Sequence, residues 1–105
     1  MVSRLHLALA QSEGGNSLSL TDIARQLRLP ARTLAHRLHH EGTTFTRERE
    51  RFRRERSLLR VVQSDTPLTT IALDLGFSDL ATFCRAFRGW YRCAASTLRR
   101  SRSSR

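Results

Sequence analysis

A chain of 105 residues with 39% hydrophobic content can enclose one modest core or two very small ones. Its net charge of +10 is made of nineteen Arg against nine acidic residues without any Lys, so every basic group is a permanently charged guanidinium suited to phosphate or guanine. Two cysteines do not make a disulfide scaffold, the apolar stretch from Val2 to Ala10 falls well short of the roughly 20 residues of a membrane span and carries no signal-peptide pattern, and no phosphate-cradling Gly loop, catalytic triad or carboxylate cluster points to an enzyme.

The first helix is expected over Val2 to Gln11, with Val2, Leu5 and Leu9 on one face, and Glu13-Gly14-Gly15-Asn16 ends it with two flexible residues. The second starts at Ser19, which stands in capping-box spacing to Asp22, and buries Ile23, Ala24 and Leu27. Pro30 suits the first turn of a third helix that runs to about His40 with Leu34 and Leu38 inward and stops at Gly42. A long helix follows over about 46–63, with Phe52, Leu59 and Val62 as its apolar line. Its Arg/Glu alternation has the period of a strand, but Glu50 to Arg54 has the favourable i,i+4 spacing and no β-branched residue lies between Arg47 and Arg60, so helix is preferred. Thr66-Pro67 offers a cap and a first-turn proline for the fifth helix, with Ile71, Ala72 and Leu75 inward and Gly76 as its left-handed stop. Ser78 or Asp79 caps the sixth, whose Phe83, Phe87 and Trp90 face the core. A last helix begins near Ser96 and frays into Arg99, Arg100 and the tail.

One segment occurs twice. Leu20-Thr21-Asp22-Ile23-Ala24-Arg25-Gln26-Leu27 returns 48 residues later as Leu68-Thr69-Thr70-Ile71-Ala72-Leu73-Asp74-Leu75, keeping Leu, Thr, Ile, Ala and Leu in register. Each copy is a short amphipathic helix running into a tight turn and then a second helix with Arg or His on its polar side, which is a helix-turn-helix in tandem. The expected architecture is all-α with about seven helices: a first helix-turn-helix subdomain over 1–45, a linker helix over 46–64, a second subdomain over 65–100, and a disordered basic tail over 101–105. An 18-residue linker helix spans about 27 Å, compatible with roughly 34 Å per duplex turn.

Ile71-Ala72, Leu75-Gly76-Phe77-Ser78-Asp79, Phe83, Arg85-Ala86-Phe87-Arg88 and Trp90 together closely resemble the second helix-turn-helix of the AraC/XylS family of bacterial transcription regulators. Leu29-Pro30-Ala31-Arg32-Thr33-Leu34 and Glu41-Gly42-Thr43-Thr44-Phe45 resemble the first and its exit loop. The resemblance implies a two-lobed DNA-binding domain whose third and sixth helices enter successive major-groove segments, and a ligand-sensing or dimerising domain in a longer parent chain. Arg92, Ala95 and Leu98 depart from the family's usual Gly, Pro and aromatic, so the turn into the last helix is expected to be reshaped or loosely held.

Aligning Leu34 with Phe83 and Leu38 with Phe87 requires one extra residue in the second turn and sets Arg32 opposite Ala81, Thr33 opposite Thr82 and His36 opposite Arg85. The base-reading set is Arg32, Ala35 and His36 on the third helix and Leu80, Ala81, Thr82 and Arg85 on the sixth, a choice the resemblance shares. For Arg85 the alternative is a salt bridge to Asp79 or Asp74, and for His36 simple solvation. Arg37, Thr43, Thr44 and Arg88 are assigned to phosphates, aided by helix N-termini at Ser19 and Thr66. The run from Arg47 to Arg56 reads as a solvated face. His36, His39 and His40 have the spacing at which two imidazoles can clasp a metal, but with no carboxylate or thiolate in register no metal or other cofactor is assigned. Cys84 reads as a small packing residue. The expected partner is double-stranded DNA, with RNA polymerase as a further candidate, in the cytoplasm at the nucleoid. The alternative is a non-specific nucleic-acid-binding or protein-interaction module.

Overall fold

The computed structural model describes residues 1–14 and 18–103. Among them are seven helices and no strand: α1 Val2–Gln11, α2 Leu20–Gln26, α3 Ala31–His40, α4 Phe45–Gln63, α5 Leu68–Asp74, α6 Leu80–Tyr91 and α7 Ala95–Ser103. None is long and apolar enough to cross a membrane. They form two compact units, Met1–Phe52 and Arg53–Arg105, with α4 giving its first half to one and its second half to the other.

In the first unit the stripes expected of α1, α2 and α3 meet as one core. Leu5, Ala8 and Leu9 bury with Ile23, Ala24, Leu34, Leu38, Phe45 and Phe52. Val2 and Leu27, at the edges of those stripes, are only half-buried. Ser19 caps α2 by accepting from the Asp22 N–H at 3.2 Å. Ser12, fully buried, receives a hydrogen bond from the Gln26 amide and so satisfies its hydroxyl between α1 and α2.

The second unit is built on aromatics. Phe83 and Phe87 are fully buried, each contributing about 1.5–3 kcal/mol by removal from water. Around them Phe77, Phe83, Phe87 and Tyr91 form a continuous set of tilted and edge-to-face contacts at centroid distances of 4.9–5.9 Å. Ile71, Ala72, Leu75, Val61 and Ala95 complete this core.

The repeat seen in the sequence is a repeat of backbone geometry. Arg28 and Gly76 both sit in the left-handed region, at φ +58° and +83°. The next residue then turns its N–H back to the alanine of the first helix: Leu29 to the Ala24 carbonyl and Phe77 to the Ala72 carbonyl, both at 3.0 Å. That 6→1 bond is half of a Schellman motif. The turn between α2 and α3 covers 27–30 and that between α5 and α6 covers 75–79, which is the extra residue the alignment required.

Several expectations are corrected. Pro30 and Pro67 occupy the N-cap, one position before the first turn, with φ near −60° and extended ψ. Thr66 therefore caps nothing; its carbonyl instead accepts from Arg99. The buried line of α4 is not Phe52, Leu59 and Val62: Leu59 is exposed and Val62 only half-buried, while Phe45, Glu48 and Phe52 bury in the first unit and Arg53, Ser57 and Val61 in the second. A single stripe fails because each half of the helix serves its own core. The last helix does not fray at Arg99. That guanidinium donates to the carbonyls of Arg60, Val61 and Thr66 at 3.2, 3.1 and 2.6 Å, tying α7 to the C-terminal end of α4, and α7 continues to Ser103. Arg92 does take the left-handed cap, at φ +59°. Gly15 and Asn16 of the first loop, and Ser104 and Arg105 of the tail, lie outside the described residues.

Candidate nucleic-acid interface

Each unit presents the outer face of its second helix. In α3, Leu34 and Leu38 are 0% exposed and fix the roll of the helix, which leaves Arg32, Ala35, His36 and Arg37 on the solvent side. Arg32 and Arg37 engage no carboxylate among the described residues. His36 is not simply solvated, because its Nε2 stands 3.1 Å from Nε2 of His40.

In α6, burial of Phe83 and Phe87 sets the roll in the same way. Leu80, Ala81, Arg85 and Arg88 are exposed and Thr82 is half-buried. Of the two expected caps it is Asp79 that serves, accepting from the Thr82 N–H at 2.7 Å. That hydrogen bond, with help from the Thr82 side chain and the Arg85 charge, holds its carboxyl below the usual range. The Thr82 hydroxyl lies 3.5 Å from Ser78 and accepts from Arg85 Nη2 at 3.4 Å. Asp74 is taken by Arg60 at 2.8 Å. Arg85 is thus steadied from within its own helix, and its remaining donors face solvent.

The exit loop after α3 splits the two threonines. Thr44 accepts from the Arg47 N–H at 3.1 Å, opening α4, and keeps its hydroxyl hydrogen to donate. Thr43 spends both donors internally: the hydroxyl on Glu48 at 2.6 Å, the N–H on the Leu38 carbonyl at 3.0 Å. It has no donor left for a phosphate.

Glu48, 5% exposed, also meets His6 Nε2 at 2.8 Å. The Thr43 hydrogen bond, then His6 and the Arg51 charge, lower its carboxyl below the ordinary range against the opposing effect of burial. The solvated-face reading of the charge run hid this residue. Its position, three after Phe45 and four before Phe52, put it on the buried stripe and was the available signal. Arg53 is the second such residue: it donates to the Leu75 and Gly76 carbonyls at 2.9 Å each and lies 4.6 Å from the Phe77 ring centre. It braces the turn that launches α6, and no local sequence signal distinguishes it from its exposed neighbour Arg54. Cys84 and Cys93 are free and half-buried.

Residues 23–101 match a family model described as a helix-turn-helix domain. The transcriptional activator RhrA of Rhizobium meliloti is 33% identical over 101 residues, covering 94% of this chain and 32% of RhrA. The transcriptional activator RhaS of Pectobacterium atrosepticum is 36% identical over 100 residues, covering 94% of this chain and 36% of RhaS. The chain therefore spans about a third of the length of these relatives. Among solved structures, a DNA-binding transcriptional dual regulator from Escherichia coli K-12 superposes with a TM-score of 0.82 at 19% identity, covering 99% of this chain and 93% of the other. An AraC-type transcriptional regulator from Chromobacterium violaceum gives 0.75 at 19% identity, with 98% and 92% covered. The tandem turns, the family match over three quarters of the chain and these relatives place it in the AraC-type helix-turn-helix family of DNA-binding transcription regulators.

Proposed function

We propose that the chain binds specific double-stranded DNA sequences to regulate transcription, with α3 and α6 each entering a major-groove segment and the two segments adjacent on the duplex. The observation that carries this reading is that both repeats expose, on the outer face of the second helix, a guanidinium that closes no ion pair among the described residues: Arg32 and Arg85. Either can address guanine O6 and N7 bidentately, Ala35, Leu80 and Ala81 offer apolar contact to thymine methyls, and His36 and Thr82 add hydrogen bonds. Arg37, Thr44 and Arg88 hold phosphates, which position without specifying. Thr43 leaves that set and serves to fix the loop that presents Thr44.

Sensing or dimerisation, and any contact with RNA polymerase, belong in this proposal to the parent regulator, as suggested by relatives of about three times this length. A DNA target puts it in the cytoplasm at the nucleoid.

Binding to a selected site and to random duplex, at one fixed salt concentration, tests the assignment. Arg85→Ala should cost ~1–3 kcal/mol on the selected site and relax the preference at one base pair, whereas Arg88→Ala should weaken both DNAs alike. Equal losses on the two DNAs for Arg85→Ala would remove its base-reading role.

A further inference from the structure

We infer that His36 and His40 form a two-imidazole clamp for a divalent transition metal, of which zinc is the physiological candidate, on the exposed face of α3. The two residues are one helical turn apart, at i and i+4, both exposed, with Nε2 to Nε2 at 3.1 Å and rings edge-to-face at 84°. Two nitrogens bound at about 2.0–2.1 Å to one ion stand about 2.9–3.4 Å apart for bond angles between octahedral and tetrahedral, so the observed separation already lies in the chelating range. Imidazole suits zinc, copper and nickel.

Without metal, the 3.1 Å contact requires one Nε2–H to donate to the other ring's bare Nε2, either between two neutral rings of different tautomer or from a protonated ring to a neutral one. A metal needs both Nε2 atoms bare, so the donor's Nε2 proton moves to its own Nδ1 or, where that ring was protonated, leaves to solvent. Both rings then carry their hydrogen on Nδ1.

His39 is the residue that spacing alone would add, yet its ring centre is 6.5 Å from that of His40, and no group of three or more His, Cys, Asp or Glu among the described residues could hold a metal. Glu41 is paired with the terminal amino group of Met1 at 3.3 Å. Water therefore completes the coordination. Arg32, one turn before His36, and the neighbouring Arg37 raise the cost of placing a cation there, which keeps the affinity modest. The clamp takes Nε2 of His36, so on the proposed reading, in which this residue contacts DNA, metal binding and any base contact through that nitrogen exclude each other.

Zinc chloride titrated calorimetrically into the 105-residue protein, with no DNA present, tests the clamp independently of DNA reading. One ion per chain should bind, and His40→Gln and His36→Gln should each weaken binding by about tenfold or more, while His39→Gln and the double change Cys84→Ser, Cys93→Ser bind as the parent does. Helical circular dichroism confirms that each variant is folded, as substitutions at exposed positions 36, 39 and 40 should leave it. Saturating zinc should also raise the unfolding midpoint of the parent and not that of His40→Gln. Parent-like binding by His40→Gln, or loss of binding on replacing the cysteines, overturns the proposal.

Discussion

The two units make the same turn with different residues. Unit 1 places Arg28 in the left-handed position and unit 2 places Gly76 there, yet both close with a 3.0 Å bond to the alanine carbonyl of the preceding helix. The bend is thus set by packing, Ile23 and Ala24 with Leu34 in one unit, Ile71 and Ala72 with Phe83 in the other; glycine only lowers its cost. The units differ more in how α4 braces them. Its first half buries a carboxylate, Glu48, which holds the loop leaving α3; its second half buries a guanidinium, Arg53, which holds the turn entering α6. One helix thus braces both units, holding α3 by the loop after its exit and α6 by the turn before its start.

Removing the second brace should have the largest effect. Arg53→Ala leaves the Leu75 and Gly76 carbonyls without their donor and is expected to destabilise unit 2 by about 2–4 kcal/mol. Trp90 is the chain's single tryptophan, half-buried 6.3 Å from the Phe77 ring, so its fluorescence reports the unit that Arg53 holds. A urea midpoint by Trp90 fluorescence unchanged from the parent would show that the brace is dispensable.

The first brace should reveal itself through pH. The Glu48 carboxyl titrates lower in the folded chain than in the unfolded one, chiefly because of the Thr43 hydrogen bond. In the interval between, the unfolded state holds more protons; the stabilisation is complete above the ordinary carboxylate range and drains away as pH falls through the folded value. Urea midpoints followed by helical circular dichroism from pH 6 to pH 3 should therefore fall more steeply for the parent than for Glu48→Gln. Parallel slopes would remove Glu48 from the acid sensitivity of unit 1.

The tandem helices, their buried faces, the Ser19 and Asp79 caps and the extra residue in the second turn were legible because each rests on local periodicity or on a short-range hydrogen bond. The buried line of α4 and the course of α7 beyond Arg99 were not. Leu59 looks like core by hydropathy and Arg53 like surface, but their places are exchanged by contacts with residues more than a dozen positions away, Leu75 and Gly76 for Arg53. Arg99 reads as part of a basic tail until the three carbonyls it serves are brought to it by the fold. The exposure of Arg32 and Arg85 followed from aligning the two repeats by their buried pairs, whereas the hold of Glu48 on Thr43 depends on a loop conformation that no spacing rule encodes.

The smallest effects bear on the turn itself and form a mirrored pair. A side chain in the left-handed region costs about 1–2 kcal/mol, of which roughly 0.4–1 is returned because the non-glycine residue loses less freedom on folding. Gly76→Ala should therefore destabilise unit 2 by about 0.5–1 kcal/mol, and Arg28→Gly should stabilise unit 1 by a similar amount, read respectively from Trp90 fluorescence and from the helical signal. The symmetry holds only if the Arg28 side chain, exposed and without a partner among the described residues, contributes nothing beyond its strain. Should Arg28→Gly fail to stabilise, the arginine stem must recover the backbone cost by covering apolar surface beside it, and the two turns would then be equal in geometry but not in what maintains them.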